Sequence, residues 1–328
     1  METLTIAGVQ SQPFGSCPAL AQSPDGIVWQ YLQPPFPQLD SIAGMDSDGV
    51  NLVIANTRGY LSITQNGQSF NAMELDDGFG TQSILYDSTS GNWLAVGTRV
   101  YGNDAGPYVA GDQVAQIYRG DTANGPWYMT WTHNSRDSFF YKIKRFPSDL
   151  SQGLQHDVLI ICGYDGGSGD LWYSIDQGFS WAKAEIPNGI GPILSVALYM
   201  IDGITYWVYG CSNGVFYSTG LLDTDWQEIL LPAKDVVIDM QVSSNLSTLV
   251  LVGNNGVYWT YNGAEIFSWS HDGYVFDGLH KQAVNGQDVF FFWARSTLTQ
   301  YTYWYTQDFV NWTAASNSIH VQSSVSTI

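Results

Sequence analysis

Thirty carboxylates and five histidines are the side chains with which this chain could do acid–base or metal chemistry. The histidines (His133, His156, His271, His280 and His320) are scattered without HxH or HxxxH spacing, so they do not read as a zinc-ligand set. There is no GxSxG, no P-loop and no strand-GxGxxG-helix fingerprint; the run from Gly163 to Gly169 is a turn cluster with no helical pattern after it. Two acids at a suitable separation suffice for glycoside hydrolysis, which keeps a glycosidase as an alternative. Two acidic glycine loops, Asp46 to Gly49 and Asp165 to Asp170, offer oxygen ligands, but neither matches the twelve-residue calcium loop with its terminal Glu. They are expected to be turns, with Asp165 and Asp170 the candidate Ca²⁺ ligands; otherwise no cofactor is expected.

Those residues sit in a repeat. Its unit is an apolar strand ending near Gly, an aromatic-rich strand ending in Ser or Thr, a polar turn and an aromatic anchor. The clearest copy runs from Val158 through Ser174, Asp176 and Gly178 to Trp181. Weaker copies are Ser23-Asp25-Trp29, Thr64-Asn66-Phe70, Thr260-Asn262-Phe267 and Thr306-Asp308-Trp312, while the units ending at Trp127 and Trp226 keep strand and anchor but lose the acid. Anchors at Trp29, Phe70, Trp127, Trp181, Trp226, Phe267 and Trp312 recur about every 47 residues, the period of a four-stranded propeller blade. In such a turn the carboxylate or amide accepts backbone N–H groups, Gly supplies positive φ, and the aromatic covers the neighbouring blade.

Ser174, Asp176, Gly178 and Trp181 resemble the Asp-box, or bacterial neuraminidase repeat, of sialidase-like propellers, with Ser180 where that family prefers Thr. The resemblance implies an all-β fold, and the seven registers of strand and box imply a single seven-bladed β-propeller over residues 1–328. The first box lies so near Met1 that its blade needs another strand, and residues 319–328 are expected to supply it and close the ring. Sialidase activity would need an arginine cluster for the substrate carboxylate. The family's N-terminal Arg-Ile-Pro is absent, and Arg145-Phe146-Pro147 is a poor substitute among six arginines, so that activity is not expected.

The period stretches in the third and fourth units, and the excess falls in loops, where repeat proteins often bind. Their Tyr101, Asp104, Tyr108, Trp131, His133, Arg136, Tyr164 and Asp165 combine stacking rings with short polar groups, a set suited to a sugar. These are the candidate ligand residues.

Eleven basic against 30 acidic residues give a formal charge of −19, which argues against phosphate-backbone binding and anionic membranes. No apolar run reaches the roughly 18 residues of a spanning helix. Met1 to Ile6 carries neither a basic n-region nor a long apolar core, so synthesis in the cytoplasm without a cleaved signal is expected. Three cysteines (Cys17, Cys162 and Cys211) read as free thiols rather than a disulfide framework. A 15% aromatic content with only 12% charged residues resembles that of phage tail and other virion proteins. The expectation is therefore a non-enzymatic attachment or assembly module of a virion, with protein partners or a cell-surface glycan. A free lectin and an Asp-box glycoside hydrolase are the alternatives.

Overall fold

The computed structural model describes residues 3–12, 15–23, 30–32, 41–102, 109–148, 155–284, 286–296, 301–316 and 319–327; along 3–23 and 315–327 it is chiefly the backbone that is described. The described elements are all β-strands. In chain order they are β1 (Thr3–Gln12), β2 (Gly15–Ser23), β3 (Gln30–Leu32), β4 (Ile42–Ser47), β5 (Leu52–Asn56), β6 (Tyr60–Thr64), β7 (Asn71–Glu74), β8 (Phe79–Asp87), β9 (Asn92–Val100), β10 (Gln113–Gly120), β11 (Trp127–Thr132), β12 (Ser138–Phe146), β13 (Val158–Asp165), β14 (Ser168–Ser174), β15 (Ala182–Lys183), β16 (Ile193–Ile201), β17 (Ile204–Cys211), β18 (Gly214–Ser218), β19 (Gln227–Ile229), β20 (Val237–Val242), β21 (Leu249–Gly253), β22 (Gly256–Thr260), β23 (Phe267–Trp269), β24 (Tyr274–Val284), β25 (Gln287–Ser296), β26 (Tyr301–Thr306), β27 (Thr313–Ser316) and β28 (Ile319–Thr327).

Among the described residues these strands form seven four-stranded sheets, six of them from consecutive strands and one in the order β28-β1-β2-β3. Side chains are described along most of six of these sheets; in the sheet with β28 it is chiefly backbone pairing that is described. There β28 runs antiparallel to β1, from Thr3 opposite Thr327 to Gln10 opposite Ile319. The C-terminal strand thus joins the N-terminal ones and covers the edge that β1 would otherwise present.

By compactness the chain divides into two units. One holds Met1–Arg145, Gln177–Phe179 and Ile319–Ile328; the other holds Phe146–Asp176 and Ser180–Ser318.

Where side chains are described, the sheets grade from a buried middle to an exposed rim. The second strands β5, β9, β17, β21 and β25 are the continuous apolar runs of the sequence, and their central residues are buried. A strand covered on both faces has no reason to alternate polar and apolar residues. The fourth strands β7, β11, β15, β19 and β23 are short and largely exposed, as edge strands that must not recruit other chains should be. The first strands carry a repeated irregularity. A bulge interrupts pairing between Ile42 and Gly44, Thr81 and Ser83, Ile193 and Ser195, Val237 and Asp239, and Phe276 and Gly278. Each bulge bends its strand and re-aims the extra residue.

Within each unit, cores lie between neighbouring sheets. In the first, Val53, Leu61 and Ile63 pack with Ile84 and Trp93. In the second, Ile160 and Leu171 pack with Val196 and Tyr209, and Val250 and Trp259 pack with Phe290 and Phe292. Cys162 and Cys211 are buried free thiols.

Candidate binding surfaces

The polar turns are built as their residue types demand. Asn66 Oδ1 accepts the N–H groups of Gln68 (2.9 Å) and Ser69 (3.0 Å), while Thr64 Oγ1 accepts that of Gly67 (2.9 Å). Asn262 and Thr260 repeat this on Ala264, Glu265 and Gly263 at 3.0, 3.1 and 2.8 Å. Asp308 and Thr306 do so on Val310, Asn311 and Phe309 at 2.9, 2.8 and 2.9 Å. The amides of Asn311 and Val310 hold the Asp308 carboxyl down to about 2. Asp176 takes Ser174 Oγ (2.7 Å) together with the amide (2.9 Å) and hydroxyl (2.6 Å) of Ser180. Burial pushes its pKa up, but these bonds leave it below the ordinary carboxylate value. These acids hold the amides and side chains of their own turns. Ser23 is buried, and Asp25 and Trp29 lie outside the described residues.

The anchors are half-buried rather than interior. Phe70 lies against the cluster of Leu20, Ile42 and Ile54, and Trp127 against that of Val53 and Trp93. Trp226 stacks on Tyr209 with centroids 4.0 Å apart, and Trp312 stacks on Trp269 at 4.1 Å. Phe267 departs from the expected covering role: it is 37% exposed and stacks on Trp259 of its own sheet. Trp181 is half-buried.

Of the eight candidate ligand residues, Tyr101, Trp131, His133 and Arg136 fall in the first unit and Tyr164 and Asp165 in the second, while Asp104 and Tyr108 lie outside the described residues. In the first unit the two stretched loops run side by side. The Gln113 amide donates to Arg136 O (3.0 Å), His133 N to Ala115 O (2.8 Å), and Arg136 Nε stands 3.8 Å from Asp112. His133 sits beneath the loop surface. It is 1% exposed, its Nδ1 accepts the Ser135 amide at 2.9 Å, and its ring meets Trp131 edge-on. Trp131 has one face taken by buried Phe140, stacked at 5.7 Å. Tyr101 lies beneath the guanidinium of Arg99, 5.2 Å from its ring centroid.

The Asp165 to Asp170 loop already holds a cation. Lys183 Nζ stands 2.8 Å from Asp170 and 3.4 Å from Asp165, and Trp172 Nε1 donates to the other Asp170 oxygen at 2.8 Å. An ammonium placed so fills the position proposed for Ca²⁺. The Asp46 loop is a turn whose Asp48 caps Val50 and Asn51, with Asp46 itself accepting the amides of Ser47 and, from the next sheet, Tyr86. Among the described residues no group of three or more His, Cys, Asp or Glu is placed to hold a metal ion.

A groove that sequence reasoning missed opens between the sheets β4–β7 and β8–β11, with a volume of about 420 Å³. Its rim carries Arg58, Tyr60, Glu74 and Asp77, and its wall Gln82 and Val100. The wall is held rigid. Asn56 Oδ1 accepts the amides of Arg58 (3.0 Å) and Tyr60 (2.9 Å). Gly59, at φ 81°, passes so close to Phe79 O that a Cβ would clash at 2.3 Å, so only glycine fits there. Asp76 clasps Arg99 and the Tyr118 hydroxyl (3.0 Å), fixing the loop under the groove. Gln82 is the bulged residue of β8, which brings its side chain into the lining. The Asp76 clasp recurs in the second unit, where Asp235 accepts from Tyr258 Oη (3.1 Å) and Asn255 N (2.9 Å). A single Asp before each first strand gave no spacing signal to find it by.

No family model matches the sequence, and no curated protein matches it. Solved structures do match. The Dos1 propeller aligns with 98% of this chain and 84% of its own at a TM-score of 0.59 and 11% identity. YCF48 bound to D1 peptide aligns with 85% and 82% at 0.56 and 14% identity, and a chain of a nidogen/laminin complex with 81% and 93% at 0.50 and 10%. Identities this low bear on architecture alone, and the architecture they bear on is an all-β propeller, the fold of this chain.

Proposed function

We propose that the chain is a non-enzymatic binding propeller with turns of the Asp-box kind, working without a cofactor as an attachment or assembly module of a larger particle such as a virion. The observation that carries this reading is the groove beside Tyr60 and Val100. Tyr60 is 37% and Val100 50% exposed on a wall locked by Asn56, Gly59 and Asp76, and Arg58, Glu74 and Asp77 ring them with charge. A rigid aromatic and an arginine within a polar rim are the usual ingredients of a protein hot spot. Two of the similar propellers come from structures whose descriptions name a bound peptide or a protein complex, D1 peptide and nidogen/laminin, which agrees with a protein as the partner. The turn acids Asp176 and Asp308 are engaged by the amides and hydroxyls of their own turns.

The test is incorporation. Tyr60→Ala combined with Val100→Asp should prevent the folded chain from entering the particle or complex that its source makes, whereas Leu230→Asp, at an exposed position in the other unit, should not. Normal incorporation of the groove variant would refute the reading.

A further inference from the structure

The second unit contains another opening, of about 570 Å³, on the turn side of the last two sheets. This is within the range of roughly 300–1,000 Å³ typical of small-ligand sites. Its floor is apolar, from Phe290 and Phe309, both buried. Tyr261 stands at its wall with half its surface exposed. The polar lining is held in place by its own bonds. Asp288 takes the amide and hydroxyl of Ser244, each at 2.6 Å, and Lys281 Nζ reaches the same hydroxyl at 3.3 Å. Asn245 accepts Ser243 Oγ (2.6 Å), Ser247 N (3.1 Å) and Ser247 Oγ (2.8 Å) through Oδ1 alone, which leaves its amide nitrogen to donate elsewhere. Gln307 adds an exposed amide at the rim.

We propose that this cavity binds a neutral mono- or disaccharide. A sugar ring offers an apolar C–H face and a perimeter of hydroxyls, each both donor and acceptor. Tyr261 presents a flat ring for the first, while the Asn245 and Gln307 amides and the second lone pairs of Asp288 serve the second. Asp288 and Asp308 in the lining, on a chain of net charge −19, select against sialylated or sulfated sugars. The site shares no residue with the groove at Tyr60 and goes beyond the protein-binding reading. It also differs from the sugar site expected at the stretched loops, where His133 is buried and Asp165 is paired with Lys183.

Saturation-transfer NMR on the full chain, with glucose, galactose, mannose, N-acetylglucosamine and their disaccharides, and with sialic acid as the anionic comparison, tests this directly. Transfer to at least one neutral sugar is expected. Tyr261→Ala should weaken its Kd at least tenfold, Gln307→Ala should weaken it measurably, and Tyr261→Phe should retain it. Melting curves establish that each variant is folded; both positions are exposed, and Gln307→Ala carries the test if Tyr261→Ala is not. Tyr60→Ala should leave sugar binding unchanged, so that this proposal and the protein-binding one fail separately. No transfer from any neutral sugar, preference for sialic acid, or unchanged affinity in the folded alanine variants would overturn the assignment.

Discussion

Phe309 holds a left-handed backbone, φ 56°, while its ring stacks on Trp259 with centroids 5.1 Å apart and planes 19° apart. In the Ser174 turn that position is Gln177 (φ 63°), and in the Thr64 and Thr260 turns it belongs to Gly67 (φ 66°) and Gly263 (φ 72°). There a side chain of the preceding sheet occupies the space: a Cβ on Gly67 would stand 2.8 Å from Leu32, and one on Gly263 2.4 Å from Ile201. At Phe309 the relation is reversed, and the turn residue itself fills the crevice, 7% exposed.

Two opposed terms therefore meet at one residue. Truncating a buried phenylalanine costs about 3–5 kcal/mol, and a non-glycine residue in the left-handed region costs about 1–2 kcal/mol. Phe309→Ala loses the ring and keeps the backbone cost; Phe309→Gly loses the ring and sheds it. We expect the glycine variant to be the more stable by about 1 kcal/mol in denaturant titration, against the usual order of the two residues. Alanine equal to or above glycine would mean that the turn is not left-handed at this position.

The anchor aromatics are not equivalent, although the sequence presents them as one series. Trp312 lies between Phe292 and Trp269, stacked on the latter at 4.1 Å with planes 6° apart. Trp181 is half-buried outside the described apolar clusters. Trp312→Ala should cost about 3 kcal/mol, near the lower end for a buried aromatic, and Trp181→Ala distinctly less. Equal losses in chemical denaturation would show that Trp181 is packed as tightly as Trp312.

Much of the architecture was legible because it rests on local patterns. The runs Leu249 to Gly253 and Val289 to Trp293 read as doubly buried strands, and the Thr260 and Thr306 turns read as side-chain-capped, since a hydroxyl and an amide or acid two residues on act through the backbone beside them. That residues 319–328 supply a further strand to the N-terminal blade followed from counting strands. The candidate site was less legible, because sequence shows which polar side chains lie in long loops and not which are already engaged. His133 and Asp165 look available as letters, yet one is packed against Trp131 and Phe140 and the other paired with Lys183 from β15. The groove at Tyr60 depends on Asn56, Gly59 and Asp76, three residues of no shared motif, and on a bulge at Gln82 that no residue type announces.

Two half-buried groups, Asp46 and His280, should give the stability opposite pH slopes. Burial raises the Asp46 carboxyl to about 6, against the pull of the Tyr86 and Ser47 amides and with Asp48 adding to the rise. Its folded form holds a proton that the unfolded chain releases near 4, so its contribution falls as pH rises from about 4 to 6. Burial lowers His280 to about 4, with Asp239 opposing and Lys281 assisting. Its contribution is present above the unfolded value near 6.5 and is lost as pH falls towards 4. The two windows overlap and largely offset each other. Relative to the parent, the Tm of Asp46→Asn should decline on acidification from 6 to 4, and that of His280→Asn should rise. Parallel Tm curves for parent and variants would show that neither group carries the shift.

Lys183 decides between an internal ion pair and a metal loop. Asp170 is fully buried, and the Lys183 ammonium 2.8 Å away is its counter-charge. Burial depresses the lysine pKa, but the hydrogen bond and charge of Asp170, followed by those of Asp165, raise it above the ordinary value. Replacing Lys183 by Met leaves a carboxylate in the interior without compensation, which typically costs about 3–5 kcal/mol; the partial exposure of the lysine puts the expected loss at the lower end. Asp170→Asn with Lys183→Met should recover part of the loss, because neither charge then remains buried. EDTA should not change the Tm of the parent, since the ammonium occupies the place between the two acids. A Tm that drops with EDTA and returns with Ca²⁺, together with a mild Lys183→Met variant, would show that the loop is a cation site after all and that the lysine is incidental to it.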